Sequence, residues 1–348
     1  MPKKLSPLAK QRKRNARSIK RIVQPQRKRS RSSGKKQRNR VGNNLHLIAV
    51  ILIVAVVAGA LVITLSDRWD DVFVFLGLRE EIPAASITEG SVQVHFIDVE
   101  QGNCVLVMTP GYSLLIDSGE LQYSENVISY IKQAGITKLD YIIASHPHAD
   151  HIGGMGAIIN EFKPDKLFMP KIPDALVPTT QAFVRMLDAI EANSTQPVYA
   201  RAGDIIDMGD AYIEILAPIN DSYDKLNNFS VLAKLVHGNN SFLFTGDMEA
   251  AAENDVLNAG SDIKADVLHV AHHGSRTSSR RAFLEAADGI YAVISVGALN
   301  PYSHPHDEVI DLLSLLDYEI LRSDFMGTII FISDEAGLEI ITEKGENS

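Results

Sequence analysis

Residues 139–154 read LDYIIASHPHADHIGG. The apolar run through Ile142 and Ile143 predicts a buried strand ending at Ser145. Beyond it come His146, His148, Asp150 and His151, then Gly153 and Gly154, which permit a sharp turn into a helix. In extended backbone, positions i and i+2 project to one side, so His146 and His148 can approach one cation. Asp150 and His151, just past them, can ligate a second cation close by. Imidazole with carboxylate suits zinc, iron or manganese, and paired divalent ions about 3.5–4 Å apart form a hydrolytic centre. Packing three imidazoles and a carboxylate together without a metal would be costly. The isolated His46, His95, His237 and His269 are instead assigned to packing or to the surface.

Two further clusters supply what that loop lacks. FLFTGDMEAA (242–251) puts Asp247 between a strand and a helix, where a carboxylate can bridge two cations. DVLHVAHHGS (266–275) ends another strand with His272, His273, Gly274 and Ser275. One of these imidazoles is expected to complete the second metal, with His272 preferred. The other, with the Gly274 and Ser275 amides, is placed to meet an anionic substrate oxygen. ALNPYSHPHDE (298–308) adds Tyr302, His304 and His306, so seven of the eleven histidines fall in three strand-end clusters. That distribution favours convergence on one site.

Around these clusters the chain alternates short apolar runs with helical patterns. Strands are predicted at 92–97, 104–109, 113–117, 139–145, 211–217, 230–237, 241–246, 265–271, 290–296 and 328–333, and helices at 124–134, 154–162, 180–192, 249–259, 278–287 and 306–316. Residues 91–345 therefore read as one α/β or α+β domain. NNSF after LVHG supplies a hairpin turn, so part of the sheet is antiparallel.

Composition sets the outer frame. With 45% hydrophobic and 22% charged residues, the chain is neither collagen-like, coiled-coil nor wholly disordered. A single cysteine, Cys104, excludes an intramolecular disulfide. The net charge of −9 conceals two opposite pieces, because residues 1–44 hold 17 of the 34 Lys and Arg and no acidic residue. The remainder sets 17 basic residues against 43 acidic ones, a net −26. Between the charged tail and the rest lies LHLIAVILIVAVVAGALVITL (45–65), 21 residues without a charge. As a helix it spans roughly 30 Å, the thickness of a bilayer's hydrocarbon core. A buried core helix is disfavoured because no side of the segment is polar. A signal peptide is disfavoured by the long charged region, the long apolar run and the lack of a small-x-small site after it. The charge bias predicts a single-pass membrane protein with a cytoplasmic N-terminus and an extracellular domain. The tail is expected to be disordered and drawn to anionic lipid, a dedicated nucleic-acid site being the second choice. Residues 66–90 read as a juxtamembrane connector.

These motifs carry a resemblance. HPHADH with its two glycines resembles the H-x-H-x-D-H signature of the metallo-β-lactamase superfamily. FIDVEQGNCVLV (96–107) with LLIDSG (114–119) resembles the opening of the soluble domain of the ComEC family of competence DNA-uptake proteins. NNFSVL, FLFTGDM, DVLHVAHHGS and the run from AVISVG to NPYSHP resemble later motifs of that domain in the same order, over roughly residues 91–335. The resemblance implies an αββα sandwich with two metals, zinc or manganese, at one edge of its sheets, and hydrolysis of a phosphodiester. It makes His146, His148, Asp150, His151, Asp247 and His272 or His273 ligand candidates, and Asn228, Ser230, Tyr302 and His304 candidates for substrate contact. Glu100 and Asn103 depart from the family's Gly and Asp. NNFS stands where many superfamily members supply another His, which leaves the first metal with three protein ligands, or with His304 recruited. Asp150 is expected to orient the nucleophile and His273 or His304 to steady developing charge. For DNA, local positive charge is expected from Arg276, Arg280 and Arg281. Alternatives are cell-wall phosphodiesters or other esters as substrate, or a non-catalytic, DNA-binding accessory of the competence machinery.

Overall fold

The chain enters its first sheet through β1 (Val92–Phe96), β2 (Val105–Met108) and β3 (Ser113–Ile116), an antiparallel meander in which Val94 faces Val107 and Leu106 faces Leu115. Every residue of these strands is buried, because one face meets a second sheet and the other meets helices. This computed structural model describes residues 87–344. The basic tail, the apolar segment 45–65 and the connector before residue 87 lie outside the described residues. Among the described residues no helix is long and apolar enough to cross a membrane.

From β3 the sheet grows in parallel through β4 (Tyr141–Ile143), β5 (Lys166–Met169) and β6 (Gln196–Tyr199). The connections carry α1 (Ser124–Gln133), α2 (Ala149–Ile152), α3 (Met155–Phe162) and α4 (Gln181–Asn193). The second sheet begins antiparallel with β7 (Ile205–Asp207), β8 (Ala211–Ala217), β9 (Leu232–His237) and β10 (Asn240–Phe244). Its hairpin at Gly238 and Asn239 is the one anticipated from the sequence. It continues in parallel through β11 (Val267–His269), β12 (Tyr291–Ile294) and β13 (Glu319–Arg322). Here α5 (Ala250–Ala259), α6 (Arg281–Ala287) and α7 (Asp307–Leu315) make the crossovers. After the short α8 (Ser323–Met326), β14 (Ile329–Asp334) returns to pair with β1, and β15 (Gly337–Thr342) closes that edge. The sheet orders are β15-β14-β1-β2-β3-β4-β5-β6 and β13-β12-β11-β10-β9-β8-β7.

Alternate residues of each strand divide between two cores. Val94, Phe96, Val107 and Phe331 of the first sheet pack on Ile213, Leu235, Phe242 and Phe244 of the second. Phe331 lies 5.9 Å from Phe96 and 5.7 Å from Phe242, ring centre to ring centre. On the outer face of the first sheet, Leu106, Leu115 and Ile142 meet Ile131, Ile159 and Phe183 of the helices. On that of the second, Leu243, Leu268 and Ile294 meet Val256, Leu284 and Leu313. The result is two sheets face to face with helices on both outer faces. Each fully buried Leu or Phe side chain contributes about 1.5–3 kcal/mol. Parallel strands bring their carboxyl ends to one edge, where open α/β sheets build their sites. Val231 N donates to Ser145 O at 2.9 Å across that edge, tying the approach to β9 to the end of β4.

Candidate metal centre

Three strand ends carry the candidate ligands there. After β4 the chain bends at His146 and Pro147 and is extended at His148, whose carbonyl starts α2, so Asp150 and His151 sit in the helix's first turn. The turn into α3 is tight: a Cβ on Gly153 would lie 2.4 Å from Ala149 O and 2.8 Å from Glu120 Cα. After β10, Gly246 takes φ +53°, and a Cβ there would stand 3.0 Å from both Ser145 Cβ and Ser230 Oγ. Only glycine lets the chain swing Asp247 under the β4 loop. After β11, residues 271–274 form a single tight turn in which His272 and His273 both have φ 54°. Left-handed backbone costs a non-glycine residue roughly 1–2 kcal/mol and clusters at functional sites.

Asp247 is the centre of the arrangement. Its Oδ1 lies 3.1 Å from His151 Nε2 and 3.8 Å from His273 Nε2. Its Oδ2 lies 3.7 Å from His146 Nε2 and 3.6 Å from His272 Nε2. His273 Nε2 is 3.4 Å from Asp150 Oδ2, and His146 Nε2 is 3.0 Å from His148 Nδ1. Two groups of donor atoms result, each within 4.8 Å of one another: Asp150, His151, Asp247 and His273, and His146, His148 and Asp247.

The ring tautomers fit a cation in each group. His151 Nδ1 faces Asp117 Oδ2 at 2.7 Å and His273 Nδ1 faces Ser295 O at 2.8 Å. Both partners are acceptors, so each Nδ1 carries the hydrogen and each Nε2 can offer a lone pair. The Ser145 hydroxyl donates to Asp117 at 2.7 Å, so its oxygen accepts from His146 Nδ1 at 3.2 Å, and His146 Nε2 is freed in the same way. His151 Nε2, His273 Nε2 and Asp247 Oδ1 are buried without a hydrogen-bond partner. Leaving such atoms unsatisfied costs about 1–3 kcal/mol each, and a divalent cation is the ligand that satisfies all three.

Electrostatics agree with a site built around ionised carboxylates. Burial pushes the Asp247 carboxyl up, but the imidazoles of His151, His273 and His146 outweigh it and hold its pKa well below the usual range. Asp150 follows the same balance, with His151 the main opposing partner, and is also held low. Burial alone would lower His151, yet Asp247, Asp117 and Asp150 raise it well above its ordinary value. His146, pressed by burial and then by His151, goes well below.

Several sequence-derived expectations are redrawn. His273, not the preferred His272, joins Asp150 and His151, because the two left-handed residues send their rings in different directions. His272 turns its Nδ1 to Thr277 Oγ1 at 3.2 Å and lies 4.0 Å from Glu249 Oε1, while its Nε2 stays beside Asp247 Oδ2. Asn228 and Ser230, expected at the substrate, are 5% and 0% exposed and sit behind Asp247. Ser230 Oγ accepts from Asp247 N at 3.0 Å, and Asn228 Oδ1 accepts from Glu249 N at 3.1 Å and Ala252 N at 3.3 Å. They hold the Asp247 turn. The Ser275 amide is committed to His272 O at 2.9 Å, and Gly274 is buried, its carbonyl accepting from His306 N at 3.0 Å. Arg276 lies at the rim, its Nη1 3.3 Å from Glu308 Oε1. Arg280 reaches Asn254 Oδ1 at 2.6 Å and Arg281 pairs with Glu285 at 3.2 Å, so both belong to the helix layer. Tyr302 stacks on His304, which in turn leans on His273. Asp117 and Ser295 were not anticipated. Asp117 stands in LLIDSG at the end of a buried strand, a signal that a carboxylate there has a partner.

A profile of the family described as metallo-beta-lactamase superfamily matches residues 97–297. The ComE operon protein 3 of Bacillus subtilis is 31% identical over 261 residues, covering 68% of this chain and 32% of that protein. Competence protein ComA of Neisseria gonorrhoeae is 28% identical over 267 residues, 76% of this chain and 35% of that one. Recombination protein 2 of Haemophilus influenzae is 29% identical over 226 residues, 64% of this chain and 26% of that one. The chain thus spans about a third of the length of these curated relatives. Among solved structures, the metallo-beta-lactamase fold protein YhfI from Bacillus subtilis aligns with 70% of this chain and 100% of its own, at 16% identity and a TM-score of 0.47.

Proposed function

The chain belongs to the metallo-beta-lactamase superfamily, and from that premise we propose that it is a membrane-anchored, outward-facing hydrolase that cleaves phosphodiester bonds in DNA with two divalent ions, zinc or manganese. The observation that carries the hydrolase reading is the sharing of Asp247 between two groups of donor atoms, one of which, around His151 and His273, holds atoms buried without a hydrogen-bond partner. His146, His148 and Asp247 Oδ2 would hold one ion, and Asp150, His151, His273 and Asp247 Oδ1 the other. When bound, such ions lower the pKa of water from 15.7 to about 7 and neutralise charge gathering on phosphate oxygens. Asp117 and Ser295 keep the His151 and His273 rings in the ligating tautomer. Asp150, partly open to solvent and held ionised, accepts a hydrogen bond from an incoming water and so orients it. His304, whose pKa burial and then His273 and His272 bring down to about 4, is neutral at physiological pH and can hydrogen-bond a substrate oxygen without repelling the cations. Arg276 adds the rim's positive charge. The DNA substrate is supported by the likeness to a protein named for competence and another named for recombination, and the anchor by the uncharged segment 45–65.

The full chain, purified in detergent, tests this by metal analysis and by turnover of single-stranded DNA, bis-p-nitrophenyl phosphate and nitrocefin. We expect two ions per chain, cleavage of the first two substrates and none of nitrocefin. Asp247→Asn should lose at least one ion and over a hundredfold in turnover, since a shared ligand serves both positions. An Asp247→Asn protein with full metal and full activity overturns the assignment. Two bound ions with no phosphodiester cleaved would instead support a non-catalytic accessory, and cleavage of a cell-wall polymer but not DNA would move the substrate.

A further inference from the structure

Beside the metal centre, residues 297–306 form a loop that turns two large hydrophobic side chains outward: Leu299 is 96% exposed and Tyr302 60%. The loop is nonetheless held in one shape. Asn300 Nδ2 donates to Gly297 O at 2.8 Å and His304 O at 2.7 Å, while its Oδ1 accepts from Tyr302 N at 3.1 Å and His304 N at 2.9 Å. Four bonds from one buried-side amide keep Leu299 and Tyr302 projecting into water, where neither contributes to the core. The Tyr302 ring is stacked on His304 with centres 5.6 Å apart at 26°, and His304 on His273 at 6.4 Å and 27°. Three near-parallel rings thus lead from a metal-group imidazole to solvent.

Resting on the DNA reading above, we propose that this loop is a stacking platform for an unpaired nucleobase, with Tyr302 as the ring and Leu299 as its apolar flank, so that the centre acts on single strands in preference to duplex. A base on the outer face of Tyr302 would hold the strand at the rim, so that a phosphodiester further along it can enter the centre at His273 and Asp150. Bases in a duplex are already stacked on each other and paired, and offer no free face to the platform. The Arg276 guanidinium, on the same rim and paired with the exposed Glu308, can exchange that partner for a backbone phosphate. Its amide is fixed by His306 Nδ1 at 3.2 Å, which keeps the arginine beside the platform. Positive charge on the backbone with an aromatic face for the base is the combination by which single strands are bound without sequence preference.

The test compares a thymidine oligomer, an abasic strand of the same length and a duplex as substrates for the metal-loaded full chain and its variants, with binding followed by fluorescence anisotropy. The base-bearing strand should have the lower KM in the wild type, by about five- to 150-fold over the abasic one, the 1–3 kcal/mol of one stacked base at 1.4 kcal/mol per decade. Tyr302→Ala should bring that ratio close to one, Tyr302→Phe should retain it, and Leu299→Ala should reduce it in part. Duplex should resemble the abasic strand. A ratio that survives Tyr302→Ala, or equal KM for duplex and single strand, overturns the platform while leaving a DNA hydrolase standing. Failure of every strand to bind or react overturns the DNA reading, and the platform with it.

Discussion

At the scale of single residues, the centre depends on an aspartate that touches no substrate. Asp117 accepts three bonds at 2.7 Å, from Ser145 N, Ser145 Oγ and His151 Nδ1. It joins the ends of β3 and β4 and sets the His151 tautomer. Asp117→Asn keeps the shape but cannot present an ionised acceptor to all three donors, so metal affinity should fall about ten- to 100-fold with the circular dichroism spectrum unchanged. Competition with a chelating dye measures it, and unchanged affinity would reduce Asp117 to a structural tie. His146, His148, Asp150, His151 and Asp247 were legible in the sequence because each follows a strand pattern, and strand ends of an α/β sheet share an edge. The choice between His272 and His273 was not legible, because it is made by two left-handed residues in a row, which no local pattern announces. Nor was the burial of Asn228 and Ser230, since a polar segment before a strand looks alike whether it faces a substrate or supports a turn.

At the scale of elements, α5 and α6 are joined by a buried carboxylate. Glu253, 1% exposed, accepts from Ser279 N and Arg280 N just before α6, with the partly exposed Arg280 Nε 3.7 Å away. Burial lifts its pKa from 4.5 to about 7, against the lowering effect of those bonds. Because the folded value is raised, the native state holds a proton that the unfolded chain releases near pH 4.5. Glu253 therefore contributes stability in full below that pH and loses it as pH rises towards 7, after which the dependence is flat. Glu253→Gln should remove this slope. The difference in unfolding free energy between wild type and variant, read from urea denaturation, should change in the variant's favour between pH 4.5 and 7.5, by up to about 3 kcal/mol at 1.36 kcal/mol per pKa unit. A difference constant across that range would contradict the assignment. The elements were legible where they are central. β1, β2, β3, β4, β8, β9, β10, β11, β12 and β14 fall within two residues of the predicted runs. The strands β6, β7, β13 and β15 were missed for a common reason: they are three to six residues long and close the sheet edges, where one face is solvated and the apolar signal thins, while β5, buried at three of its four residues, is too short a run to stand out. Pro197 in β6 is tolerated because that strand closes the sheet.

At the scale of the whole molecule, charge is divided between two opposite parts of the sequence. A chain with −26 beyond residue 44 repels a polyanion except at a local rim such as Arg276, whereas 17 basic residues without an acidic one would hold nucleic acid of any sequence or an anionic leaflet. Left free in one compartment, the tail would outcompete the rim for the strand. The uncharged segment 45–65 removes that conflict if it spans the bilayer, since 17 positive charges retained on the cytoplasmic side leave only the acidic domain and its rim facing imported or external polymer. Protease added to intact cells should then remove an epitope placed after Ser348 and spare one placed before Met1, which becomes sensitive only after permeabilisation. The opposite pattern would put the metal centre beside the tail, and the substrate would have to be sought in the cytoplasm.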